Sequence, residues 1–267
     1  MGNINGRVLP IACDVVVRTL RGEGSPVLLC FPPAGGSSLS FRRLAGCLPR
    51  DWSVWAIDPA GHGLSQGPAL ERVEAMARRY ADVMAGNLGR PLFLLGQSLG
   101  GLVAYRFAQL VEGSTKSLVA LVICATPPPH CIRFLAKVST LSDARLLEWL
   151  IASGGVPDQV ARYPDFLRLY LPTIRADLRA YETFDNMDPS ILDLPIWLYQ
   201  GRGDPILGDL PMIEWTRYCR GLTFRELPHE GHFFVQTCPD ELIADLVPRI
   251  RSSLESWPPA VASASAQ

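Results

Sequence analysis

Six short β-rich runs recur along the chain: VLLCF (Val27–Phe31), SVWAI (Ser53–Ile57), LFLLG (Leu92–Gly96), SLVALVIC (Ser117–Cys124), IWLYQ (Ile196–Gln200) and TFREL (Thr223–Leu227). Apolar strands with few polar breaks belong in a parallel sheet covered on both faces. Between them the apolar positions change to helical spacing: Phe41, Leu44, Ala45 and Leu48, then Val73, Met76, Ala77, Tyr80 and Met84, and later Leu242, Ile243, Leu246, Val247 and Ile250. Each set is one stripe to lay on a sheet. The run CDVVVRTL (Cys13–Leu20) reads as an extra leading strand, antiparallel and at the edge. The pattern predicts an α/β fold, a doubly wound, mostly parallel sheet.

The alternation stops from about residue 126 to 194, where no strand pattern occurs. Ser142 stands as an N-cap, LLEWLIA follows, and Gly154-Gly155 forms a stop, so a helical insertion between two strands is expected, placed to act as a lid. Its apolar residues Leu146, Leu147, Leu150, Ile151, Phe166, Leu169 and Tyr170 either cover a site or only pack. Residues 1–255 are expected to form one domain, and the small, polar, Pro-rich end at 256–267 a disordered tail.

Composition narrows the partners. The 267 residues are 48% hydrophobic and 19% charged, enough for a substantial core. Lys+Arg at 25 against Asp+Glu at 26 leaves a formal charge of -1, so no global field draws nucleic acid or an anionic membrane. Seven cysteines without a C-x-x-C pair suit a reducing cytosol, and a cytoplasmic location is expected. The opening MGNINGRVLPIACD matches neither a signal peptide nor a myristoylation site, and no run is long and apolar enough for a membrane span.

The sharpest chemical signal is LFLLGQSLGG followed by LVAYRFAQL, a strand leading through G-x-S-x-G into a helix. In this context Ser98 occupies a strained turn, and side chains at Gly96 and Gly100 would strike neighbouring backbone. A serine hydroxyl needs a base. Of His62, His130, His229 and His232, chain order favours His232, after the last strand and before the C-terminal helix, over His229. His62 is expected to shape the site rim or its own Gly-rich loop, and His130 to be a satisfied loop histidine. The orienting carboxylate is expected at Asp204, the first acid past IWLYQ, with Asp209 in reserve. Backbone N–H groups of Leu99 and of Ala34, in PPAGGSS after the strand Val27–Phe31, are the expected oxyanion donors. The P-loop lysine, the G-x-G-x-x-G turn and metal-ligand spacings are all missing, so neither cofactor nor metal is expected.

Taken together, FPPAGGSSLSFRRLAGCLP, WSVWAIDPAGHGLS, LGQSLGG, YQGRGDP and LPHEGHFF resemble the type II thioesterases that accompany nonribosomal peptide synthetases and polyketide synthases, a branch of the α/β-hydrolases. The resemblance spans about Leu28 to Leu254. Two positions depart from the family pattern: Gln97 where His is common, expected to point away from the triad, and Ala60 where Gly is frequent. The resemblance implies hydrolysis of wrong or stalled acyl groups from the phosphopantetheine arms of acyl or peptidyl carrier proteins, by a Ser98, Asp204 and His232 triad in the order Ser, Asp, His along the chain. Carrier docking is expected to be weak and the chain a monomer. Three rival readings share the architecture: carrier-to-carrier acyl or aminoacyl transfer, small-molecule ester hydrolysis, and a binding module without chemistry.

Overall fold

A computed structural model describes residues 8–9, 14–156, 161–185, 190–228 and 230–257. The strands are β1 (Val8–Leu9), β2 (Val16–Arg21), β3 (Val27–Phe31), β4 (Ser53–Asp58), β5 (Leu92–Gln97), β6 (Leu118–Cys124), β7 (Leu192–Gly201) and β8 (Cys219–Leu227). They form one sheet in the order β1-β2-β4-β3-β5-β6-β7-β8. From β4 to β8 all pairings are parallel, while β2 runs antiparallel to β4. Every residue of β3, β4 and β5 is buried. Because successive side chains point to opposite faces, both faces of the sheet are covered.

The helices are α1 (Arg42–Cys47), α2 (Val73–Met84), α3 (Leu99–Val111), α4 (Asp143–Ala152), α5 (Pro164–Arg168), α6 (Leu171–Glu182), α7 (Phe234–Thr237) and α8 (Asp240–Glu255). The apolar stripe of α2 is buried, and α2 packs on α3. Leu242, Leu246 and Ile250 form the buried stripe of α8, which packs on α1.

Three expectations about the strands need correction. The leading strand is not the edge, since β1 pairs outside it, and two residues are too few to carry a readable period. Strand β7 begins at Leu192, and its first residues alternate buried and exposed instead of forming an unbroken apolar run, which hides them from a search for such runs. Strand β8 begins at Cys219, and as the opposite edge strand it is largely solvent-facing, which hides its first half from a search for apolar runs.

Between β6 and β7 lie α4, α5 and α6, with no strand among the described residues. Ser142 caps α4 by accepting the Arg145 N–H at 3.4 Å, and Gly154, at φ 76, follows its end. The insertion has its own small core of Val138, Leu146, Leu147, Leu150, Leu167 and Leu178. Ile151, Leu169 and Tyr170 are instead exposed. The side chain of Phe166 and the expected tail at 258–267 lie outside the described residues.

The strand order positions the site. After β3 the chain turns to β4 on one side, and after β5 it turns to β6 on the other. The loops leaving the carboxyl ends of β3 and β5 therefore diverge and leave a crevice between them.

Candidate active site

Strand β5 ends at Gln97 and α3 starts at Leu99, leaving Ser98 alone in the turn at φ 53, ψ -121. Such a backbone costs about 1–3 kcal/mol and persists only where its surroundings enforce it. Here the Ser98 N–H donates to the Cys124 carbonyl at 2.9 Å, and the Ser98 carbonyl accepts from the Gly101 N–H and the Thr126 hydroxyl. The flanking glycines are obligatory. A Cβ at Gly96 would lie 2.2 Å from the Gly100 oxygen, and one at Gly100 would lie 2.1 Å from the Phe31 oxygen.

His232 follows β8 and Asp204 follows β7, and the sheet register brings both to the same edge. The His232 Nδ1 is 2.7 Å from the Asp204 Oδ2, with both side chains 1% exposed. The other Asp204 oxygen accepts the N–H groups of Ile206 and Leu207 at 2.9 and 3.1 Å, which fixes the carboxylate plane. Asp209, the reserve acid, is exposed. Ser98, His232 and Ala34 line one cavity of about 140 Å³, with Pro33, Leu178 and Tyr181 among its other walls. Leu99, buried, opens α3 beside it.

The remaining histidines are engaged elsewhere or undescribed. His130 meets the Tyr218 hydroxyl at 2.9 Å and Glu214 at 3.5 Å. His229 lies outside the described residues. Of the two roles expected for His62, its place is in its own loop and not at the rim: it is buried, with Nδ1 2.9 Å from the Ala60 carbonyl of that loop and Nε2 2.9 Å from Asp177 Oδ2. Gln97 also departs from expectation. Instead of pointing away from Ser98, Asp204 and His232, it donates Nε2 to the His232 carbonyl at 2.8 Å and so holds the histidine loop.

Two residues escaped the sequence reading, both on α6. Asp177 contacts His62, and the Tyr181 phenol is buried near the Ser98 side chain without a hydrogen bond of good geometry. Burial, and then the Asp204 carboxylate, push that phenol well above its usual range, with Ser98 opposing. The signal available was a polar residue set within an apolar stripe of the insertion. Cys30 and Cys124 lie in the core, where burial pushes their thiols upward, away from thiolate chemistry. Among the described residues no group of three or more His, Cys, Asp or Glu side chains could hold a metal, and no helix is long and apolar enough to cross a membrane.

Comparison with known proteins gives the relationship. The chain is 30% identical over 236 residues to the AMB antimetabolite synthetase AmbE of Pseudomonas aeruginosa, covering 87% of this chain but only 11% of that much longer protein. The thioesterase RedJ from the prodiginine biosynthetic pathway in Streptomyces coelicolor superimposes with a TM-score of 0.76 at 30% identity, over 83% of this chain and 85% of RedJ. The type II thioesterase BorB from the borrelidin biosynthetic cluster gives a TM-score of 0.76 at 28% identity, over 89% of this chain and 97% of BorB. The thioesterase domain model matches residues 26–247, and the chain belongs to that family of hydrolases.

Proposed function

We propose that the chain is a type II thioesterase that hydrolyses misprimed or stalled acyl and aminoacyl groups from the phosphopantetheine arms of carrier proteins in nonribosomal peptide or polyketide synthesis. Ser98, His232 and Asp204 are the proposed triad, with the amides of Ala34 and Leu99 as oxyanion donors. The observation that carries this reading is the strained Ser98 opening into the cavity that His232 also lines, with His232 anchored on buried Asp204. Similarity to RedJ and BorB over most of their lengths supports the substrate class.

In this mechanism the His232 Nδ1–H donates a hydrogen bond to the Asp204 carboxylate and keeps its proton, leaving the Nε2 lone pair to act as base. Ser98 Oγ attacks the thioester carbonyl as its proton passes to Nε2, and the developing oxyanion is met by the two amides. Collapse breaks the carbon–sulfur bond, and the pantetheine sulfur leaves with the proton from Nε2. Water, deprotonated by the same nitrogen, then attacks the acyl-enzyme and releases the free acid and Ser98. The insertion between β6 and β7 roofs the acyl chamber.

Single-turnover mass spectrometry of acetyl-loaded and aminoacyl-loaded carrier proteins tests the proposal, with and without a second, unloaded holo-carrier. Loss of the acyl group to water with wild type, and none with S98A of unchanged fold, is the expected result. Appearance of the group on the second carrier would make the protein a transferase. Full activity in S98A would overturn the triad, and inertness toward both carriers would return the case to small esters.

A further inference from the structure

One face of α6 serves two targets. Ile174, Asp177, Leu178 and Tyr181 recur at spacings of three and four, so they share that face. Leu178 and Tyr181 line the cavity that contains Ser98. Asp177, 2% exposed, reaches instead to the loop after β3, where its Oδ2 accepts the Gly35 N–H at 2.7 Å. Ile174 rests on the same residue: Gly35 has φ 71, and a Cβ there would come 2.8 Å from Ile174 Cγ1.

A buried carboxylate is costly unless paired. His62 supplies the counter-charge at 2.9 Å, as an ion pair and not a linear hydrogen bond, since Nε2 lacks a well-aligned acceptor. With Nδ1 against the Ala60 carbonyl and Nε2 beside a carboxylate, the surroundings of the ring favour the imidazolium. The neighbouring Asp58 carboxylate is occupied by the N–H groups of Ser38 and Leu64. Among the described residues Asp177 Oδ1 has no hydrogen-bond partner, and Asp177 also lines a cavity with room for about a single water, between the β3 loop and α3.

We propose that Asp177 is a positioning residue for the oxyanion hole, reaching from the lid helix to fix the Gly35 peptide and thereby the direction of the Ala34 N–H, with His62 as its counter-cation. The Ala34 N–H lies in the Pro33–Ala34 peptide, whose carbonyl accepts the Gly36 N–H at 2.9 Å. Asp177 holds the next peptide through the Gly35 N–H, so the two bonds pin the turn on both sides of the Ala34 Cα and limit the rotation that would swing this donor from the reacting carbonyl. The lid and the oxyanion loop then move as one unit, and the hole is complete only when α6 is seated. The inference rests on the hydrolase reading above and on Ala34 as a donor.

The test separates positioning from general stability. For wild type, D177A, D177N and H62Q, kcat and KM are measured on an acetyl-loaded carrier, alongside the affinity of a boronic acid that forms a tetrahedral adduct with Ser98 and of an unreactive thioether analogue. D177A is expected to lower kcat by about 10- to 100-fold, less than or equal to the loss of a whole oxyanion donor, with KM within about twofold. Boronate affinity should fall by a similar factor while thioether affinity stays. D177N keeps an oxygen for the Gly35 N–H and should retain most of the rate, and H62Q should fall between them. A folded D177A with unchanged kcat and boronate affinity overturns the proposal, as does an equal loss in thioether affinity. Should D177A not fold, D177L, which keeps volume and lacks the acceptor, carries the same expectation. Wild-type inactivity on the loaded carrier would overturn the proposed function alone, because the boronate arm reads the oxyanion hole with no carrier present.

Discussion

One amide holds the histidine loop. Gln97 is fully buried at the end of β5, and its bond to the His232 carbonyl joins the strand that leads into Ser98 to the loop that carries His232. Replacing it by Leu keeps the volume and leaves that carbonyl without its partner, a loss of about 1–3 kcal/mol for a buried polar group. Q97L is therefore expected to lower the unfolding free energy by that amount in urea denaturation and to reduce kcat about tenfold, as His232 gains freedom relative to Ser98. An unchanged kcat would show that the Asp204 contact suffices to hold the imidazole. At this scale the sequence is legible where a residue type is forced. Gly96 and Gly100 have backbone within 2.2 Å of any Cβ, so the turn around Ser98 is written in glycine. The direction of Gln97 is not written anywhere, because it depends on how the strand ends against a loop 135 residues later.

Helix α6 shows the same limit one level up. That the stretch between β6 and β7 is helical follows from its caps and spacing, and the cap at Ser142 and the stop at Gly154 lie where local chemistry puts them. What α6 does is set by docking: Asp177 meets Gly35 across 142 residues, and no local rule connects them. A pH prediction follows from this contact. Burial pulls the His62 pKa down, but the Asp177 carboxylate, the Ala60 carbonyl and the Asp58 carboxylate outweigh it, so the net shift is upward. The other titratable group facing this pair is Tyr80 on α2, which burial and the Asp177 charge hold in its neutral form. A histidine whose folded pKa exceeds its unfolded value of about 6.5 stabilises fully below that pH, and the contribution fades as pH rises through the folded value. The stability gap between wild type and H62Q is thus expected to be widest near pH 6 and to shrink toward pH 9, read by urea denaturation across that range. A gap that widens with pH would mean that His62 is neutral in the folded state.

For the whole molecule, the parallel sheet delivers the loops of Ala34, Ser98, Asp204 and His232 to one edge, and side chains of the insertion share the cavity there, so under the proposed function the volume left between the two layers is expected to limit the acyl group. That volume is about 140 Å³, walled by Leu135, Val138, Trp149, Leu150 and Leu178 from the insertion side. Glu182 is also in the wall, but its carboxylate is taken by the Ser139 N–H at 2.8 Å and by the Ser139 hydroxyl, so the lining stays apolar in character. An apolar cavity of about 150 Å³ accommodates a benzene-sized guest, which sets the capacity here at about six carbons. On acyl carriers from acetyl to decanoyl, kcat/KM is therefore expected to hold up to about six carbons and to fall beyond. Trp149 is the wall to move, because it is partly exposed and its truncation opens the chamber toward solvent without emptying the lid core. W149A should shift the limit by about two to four carbons, at less cost in stability than the 3–5 kcal/mol of a fully buried Trp→Ala, roughly speaking. If wild type turns over decanoyl and acetyl carriers equally, the lid opens during turnover and the closed volume sets no limit. If only W149A does so, the seated lid is the form that reacts, as a hole completed by Asp177 requires.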